Sequence, residues 1–298
     1  MNFTVEIKQV LGNLALYAYL VGLGGCKAHK ATLDCCEYNI TVFDGKSEKD
    51  QIQKIGNHII RIHHGKLDES SSDILQKYEN MEILFDSDWS LGVFLSKIKE
   101  KREKIRASAI KGCLVDAVYF ATKAKQGLGV DPFAAAWLKC AAYLVCDALV
   151  LLNSKMRSPT HMLEFIRKFE KNKTNESLLA VTEMLGLERA TPSLLERMVK
   201  STIGFSDMTE ANGHSVIIQK KYEYLVNNSL LSDCYFYLGY VNKANLVLAR
   251  DSIYKRPDLI HVLKVGLDLE NDQTKIEQQS RHLHNLANEL TKSIQNYS

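Results

Sequence analysis

Hydrophobic periodicity changes once along this chain, near Trp89, and the change restricts the folds open to it. Before Trp89, runs with strand character alternate with helical ones. Glu37–Phe43, His58–His63 and Glu82–Phe85 read as strands, closed by Asp44-Gly45, His64-Gly65 and Asp86-Ser87-Asp88. Helical spacing is expected over Val5–Leu23, over Ser47–Gly56 with Ser47 as its cap, and briefly after Ser70-Ser71-Ser72. After Trp89 the period is helical to the end, with Val216-Ile217-Ile218 ambiguous. Helices are expected over Leu91–Lys125, bent or broken near Gly112, and from Pro132, with Asp131 capping and Pro132 at the first helical position. Others follow from Arg157 to Phe169, from Pro192, and over Ser215–Val226, Ser229–Arg250, Asp258–Leu267 and Asp272–Gln295. Glu170–Asn175 reads as a loop. The 4 prolines suit long helices. The reading is an α+β chain: a small N-terminal α/β domain, residues 1–95, then a larger all-helical domain, residues 96–298.

Composition narrows the class. At 46% hydrophobic and 24% charged, the 298 residues can bury a core, which excludes a disordered chain. A net charge of +3 gives no argument for nucleic acid on its own. The 7 cysteines form no CxxC pair, which argues against a zinc ribbon. Cys113, Cys140 and Cys146 fall in apolar helical stretches and read as core, in keeping with a reducing cytoplasm. The N-terminus lacks the basic region of a signal peptide. Leu11–Gly24 is too short to span a bilayer. Pro132–Leu152 is long enough but carries Lys139 and Asp147, so it reads as a buried helix. The expected location is cytoplasmic, with no membrane partner.

One arrangement points to chemistry. Gly24-Gly25 closes an apolar run, and Glu37-x-Asn39 follows in a strand, where residues two apart share a face. This layout resembles the nucleotidyltransferase superfamily, the polymerase-beta-like fold, whose turn is usually Gly-Ser and whose strand carries Asp-x-Asp. Glu82–Asp88 looks like the strand ending in Asp-Pro-Asp of many relatives, with Ser87 for Pro. The helices that follow are similar in layout to those of kanamycin-nucleotidyltransferase-like proteins. The resemblance implies a nucleotidyltransferase-like first domain, residues 1–95, and a nucleotide or nucleotide-bearing partner in the interdomain cleft. It places Gly24, Gly25, Lys27 and Lys30 at the phosphates. Glu37 and Asn39 become the remnant of a Mg2+ shelf. Mg2+ is the implied cofactor, yet the third carboxylate should come from the strand holding His58, Arg61 and His63, which has none. No catalytic residue is assigned, and the expectation is a pseudoenzyme. Two alternatives stay open: an active Mg2+-dependent transferase using Glu37 with Asp34 or Asp44, and a non-enzymatic helical scaffold or dimer.

Other constellations read as structure. His63 and His64 point to opposite strand faces and cannot chelate one ion easily. The basic stretch Lys97–Arg106 reads as a solvated helix face, with Glu100–Lys104 and Glu103–Arg106 pairs; RNA or phosphate is its alternative. Arg157-Ser158-Pro159-Thr160-His161 opens a helix that could meet an anion. Tyr235, Phe236, Tyr237 and Tyr240 read as packing rather than base stacking. Ile276, Leu283, Leu286, Leu290 and Ile294 form a stripe that packs in cis or against a second copy.

Overall fold

The computed structural model describes residue 12 and residues 18–28, 32–209 and 213–295. The chain forms two compact units, residues 1–106 and 107–298. An α+β organisation holds: a small mixed sheet first, then helices.

The first unit is built on five strands: β1 (Leu20–Gly24), β2 (Tyr38–Phe43), β3 (Gln51–Ile55), β4 (His58–His64) and β5 (Glu82–Phe85). Their order is β3-β4-β2-β1-β5. β2 and β4 are parallel; the other neighbours are antiparallel. Helices α1 (Ser72–Tyr78) and α2 (Ser90–Glu100) complete it. One sheet face is apolar: Val21, Leu23, Tyr38, Ile40, Val42, Ile60 and Ile62 form its core. On the other face Phe43 packs with Tyr78, Met81, Leu91, Leu95 and Ile98.

Two expectations fail here. Leu20–Gly24 belongs to a strand, not to the end of a helix from Val5; the rest of that expected helix lies almost wholly outside the described residues. A short apolar run buried on both faces cannot be told from a helix by period. What decides is its pairing with β2 and β5, and at Gly22 the missing Cβ leaves room for Met81 Sδ. Ser47–Gly56 is not helical either. Residues 45–50 are irregular, and Gln51–Ile55 is an exposed edge strand joined to β4 by Gly56-Asn57. Gly56 takes φ +56°, the left-handed value a two-residue hairpin demands.

Helix α3 (Arg102–Gln126) leads into the second unit. The expected long helix breaks at Lys101, and Gly112 sits undisturbed inside α3. Then come α4 (Ala134–Leu152), α5 (Met162–Arg167), α6 (Lys173–Leu185), α7 (Pro192–Thr209), α8 (His214–Asn227), α9 (Leu231–Ala249), α10 (Leu259–Gly266) and α11 (Gln273–Gln295). Val216-Ile217-Ile218 is helical. Pro132 does not open α4. It sits in a turn, while Asp131 accepts the Phe133 N–H at 2.8 Å and the Trp137 Nε1–H at 3.0 Å. The expected loop at Glu170–Asn175 is shorter than supposed, because Asn172 caps α6 by accepting the Asn175 N–H at 2.9 Å. The helix expected from Arg157 begins only at Met162.

Helix α4 explains its membrane-like composition. It is long and apolar enough to cross a bilayer, and it is buried instead, packed by α5, α6, α9 and α11. A helix apolar all round must be enclosed. The stripe of α11 is used in cis: Ile276, Leu283, Leu286 and Leu290 are buried in the same core as α4. All seven cysteines are buried.

Candidate functional site

β1 ends at Gly24, which pairs with Asn39 across the antiparallel ladder. The chain then turns at Gly25, φ +69°, into a single 3-10 turn, Cys26–Ala28. A side chain at Gly25 would be strained by that φ, and its Cβ would come 2.6 Å from Asn39 Nδ2. The turn and Asn39 are therefore packed together, and glycine is what lets the backbone approach. Glu37 lies immediately before β2 and is 7% exposed.

On the parallel neighbour, Arg61 pairs with Asn39 and His63 with Thr41. Arg61, His63 and Asn39 thus share one face of the sheet. Asp50, just ahead of β3, joins them. Its Oδ2 accepts from Arg61 Nε at 2.7 Å and Nη2 at 2.6 Å, and its Oδ1 lies 2.9 Å from His63 Nδ1. His63 Nε2 lies 3.1 Å from Asn39 Oδ1. The result is a chain Arg61–Asp50–His63–Asn39 ending beside Gly25.

Its electrostatics follow from those contacts. Burial alone would raise the Asp50 pKa, but His63 and Arg61 hold it well below the usual carboxylate range. Burial lowers the His63 pKa, against the pull of Asp50, and Arg61 lowers it further. A neutral His63 that donates Nδ1–H to Asp50 has an accepting Nε2, which suits Asn39 with its amide turned to present Nδ2. A protonated ring donates from both nitrogens and suits Asn39 Oδ1. The protonation state of His63 and the orientation of Asn39 are thus linked.

This donor set does not suit a pair of Mg2+ ions. Two-metal sites need clustered carboxylates with free lone pairs. The acid that joins this face, Asp50, is already neutralised by Arg61 and His63, and the shelf position is the neutral amide of Asn39. Of the two alternative acids, Asp44 accepts from His64 at 2.8 Å, with its side chain 3% exposed, and Asp34 sits exposed in a turn ahead of β2.

The remaining expected residues divide. Gly24, Gly25 and Asn39 come together. Lys27 does not join them: its Nζ donates to Leu33 O at 3.3 Å and lies 5.2 Å from the Tyr38 ring, and Tyr38 faces away from Asn39. Lys30 lies outside the described residues. Asp86 and Asp88 cap α2 rather than approach this face; Asp86 accepts the Gly92 N–H at 2.8 Å and Asp88 the Ser90 N–H at 3.1 Å. Arg61, Asp50 and His63 were missed as a group. The parity of Arg61 and His63 in a strand was a usable signal, but Asp50 was hidden inside the misread helix.

In the second unit, the aromatic cluster packs as expected. Tyr235 and Tyr237 are buried, Tyr235 donates to Leu185 O at 3.0 Å, and Tyr240 donates to Asp147 Oδ1 at 2.8 Å. Arg157 Nη1 reaches Cys113 Sγ at 3.7 Å. No protein-family model and no curated protein matches this chain.

Proposed function

We propose that the first unit is a nucleotidyltransferase-like module that binds the phosphates of a nucleotide at the Gly24-Gly25 turn and does not transfer the nucleotide. One observation carries this reading. The turn approaches Asn39 closely, while the nearby Asp50 carboxylate is held by Arg61 and His63. A backbone turn can meet an anion through its N–H groups without a metal. Two-metal transfer, in contrast, requires carboxylates that are not already paired. Arg61, rather than Lys27, is the cation on the relevant face.

The test is calorimetry with ATP, GTP, CTP and UTP, each with Mg2+ and with EDTA. Binding of at least one nucleotide is expected, unchanged by EDTA and lost in Gly25→Val. A thermal melt of Gly25→Val checks that the unit remains folded. Failure of all four to bind would sink the reading. Binding that requires Mg2+, with release of pyrophosphate lost in Glu37→Ala, would replace it with an active transferase.

A further inference from the structure

The first unit carries a groove that the phosphate reading leaves unused. It measures about 510 Å3, and Leu75, Phe94, Ile98 and Ile105 contribute its apolar lining. Trp89 and Val93 also line it, at 79% and 53% exposure. They are one helical turn apart, so two large apolar side chains stand side by side in water. Trp89 is held there by its backbone. It takes φ +66°, a value bulky residues rarely adopt, just after Asp86-Ser87-Asp88, whose two carboxylates accept the N–H groups of Gly92 and Ser90. Strain of this kind is kept where the surrounding structure imposes it, and it clusters at binding elements.

The rim charges say what the groove fits. Two acids line it, Glu69 and Asp88. Glu69 accepts the N–H groups of Ser70 and Ser71 at 2.8 and 2.7 Å, and Asp88 accepts that of Ser90. Both are therefore engaged by the chain's own backbone. Two lysines line it as well, Lys97 and Lys101. Neither has an ion-pair partner among the described residues, and Lys99 and Lys104 stand exposed beside them. Both carboxylates keep their charge, so the lining is balanced overall, and the positive charge is gathered at the C-terminal end of α2, where Lys97 and Lys101 lie. Lys97 and Lys101 are four residues apart, about 6 Å along the axis, which is the spacing of carboxylates at i and i+4 of another helix.

We infer that this groove docks an acidic amphipathic helix of a partner protein. Its apolar side chains would fill the floor between Leu75, Phe94 and Ile98, and its carboxylates would meet Lys97 and Lys101. A concave apolar floor suits side chains inserted from a helix. A flat lipid surface would leave that floor empty, and RNA bases would find one exposed indole rather than a row of stacking rings.

The test uses the full chain and a labelled helical peptide with leucines on one face and glutamates on the other. Its partner probe has the same leucines with lysines in place of the glutamates. Binding is followed by peptide anisotropy and by the emission of Trp89, with Trp89→Phe as the silent control. The glutamate peptide should bind at least ~10-fold more tightly than the lysine peptide. Lys97→Glu/Lys101→Glu should reverse that order, and both positions are exposed, so the fold should survive. Equal binding of the two peptides, or no effect of the double reversal, overturns the inference. So does displacement of the glutamate peptide by oligo-uridine or by phosphatidylserine vesicles at lower concentrations than unlabelled peptide. Nucleotide binding at Gly25 is not needed for any of these results, so the two proposals fail separately.

Discussion

Replacing Lys243 by methionine removes one charge from the most enclosed ion pair of the helical unit. Asp147 on α4 is 1% exposed, and Lys243 on α9 meets it at 2.9 Å. Tyr240 donates its hydroxyl to the same carboxylate at 2.8 and 3.0 Å, and the Lys243 ammonium lies 4.1 Å from the Tyr240 ring centre. Burial opposes the Lys243 charge, yet Asp147 raises its pKa above that of free lysine. Methionine keeps the apolar stem and deletes the ammonium, leaving a buried carboxylate with a tyrosine for company. Breaking a buried pair on one side costs about 3–5 kcal/mol. With a urea dependence of about 2–3 kcal/mol per molar, the midpoint of the helical unit should fall by about 1–2 M.

The sign with pH adds a second readout. A lysine whose folded pKa is raised contributes stability that is complete below its unfolded value near 10.5 and lost only above it. The wild-type pair should therefore be insensitive between about pH 5 and about pH 8. Replacing all three groups, in Asp147→Leu/Tyr240→Phe/Lys243→Met, should recover to within about 2 kcal/mol of wild type, because no polar atom is left stranded. A single-mutant loss under about 1 kcal/mol would refute the argument.

Three further outcomes are expected. Lys139 is 8% exposed and donates to Leu185 O at 2.5 Å; burial pushes its pKa down to about 7, so the unfolded state holds more protons between pH 7 and 10.5. Wild-type stability should climb through that window by up to about 1.4 kcal/mol per pH unit, and Lys139→Met should flatten the climb in denaturant titrations. A Cβ at Gly239 would collide with the hydroxyl of Tyr143, itself 1% exposed, so Gly239→Ala should cost about 1–3 kcal/mol in thermal melts. Asp50 has a depressed pKa, so its contribution is present above 3.8 and is lost as the pH falls further; Asp50→Asn should remove that acid-side loss and lower the His63 pKa still more, read from imidazole NMR shifts.

The helical half was largely legible because its signals are local. Thr191-Pro192 marks the start of α7, and Thr191 Oγ1 accepts the Leu194 N–H at 3.3 Å there. The stripe of α11 has one period over many residues, and its members are buried together. The sheet was less legible, since its edges are set by partners far away in sequence. β3 is exposed or half-buried throughout and has no apolar alternation to announce it; its pairing with β4 makes it a strand. The Gly56-Asn57 pair between two such runs was the usable signal. β1 is the opposite case, too uniformly apolar to show a period, with Gly22 explained only by Met81.

The polar contacts were hardest to foresee, and the reason is physical. A lysine in an apolar helix reads the same whether it meets a carboxylate, as Lys243 does, or only a carbonyl, as Lys139 does. The difference lies on another helix, 96 residues away in one case and 46 in the other, and it sets opposite pKa shifts. The same holds on the sheet. Asp50 could have stood as a free carboxylate for a metal, and its meaning changes because β3 pairs with β4 and delivers it to Arg61 and His63. What the face around Asn39 can bind therefore turns on the residues its neighbours bring, and here they bring a cation and an imidazole that engage Asp50. Freeing Asp50, as in Arg61→Gln/His63→Gln, is then the change that should give this face an affinity for Mg2+, and isothermal titration of that variant against wild type measures it.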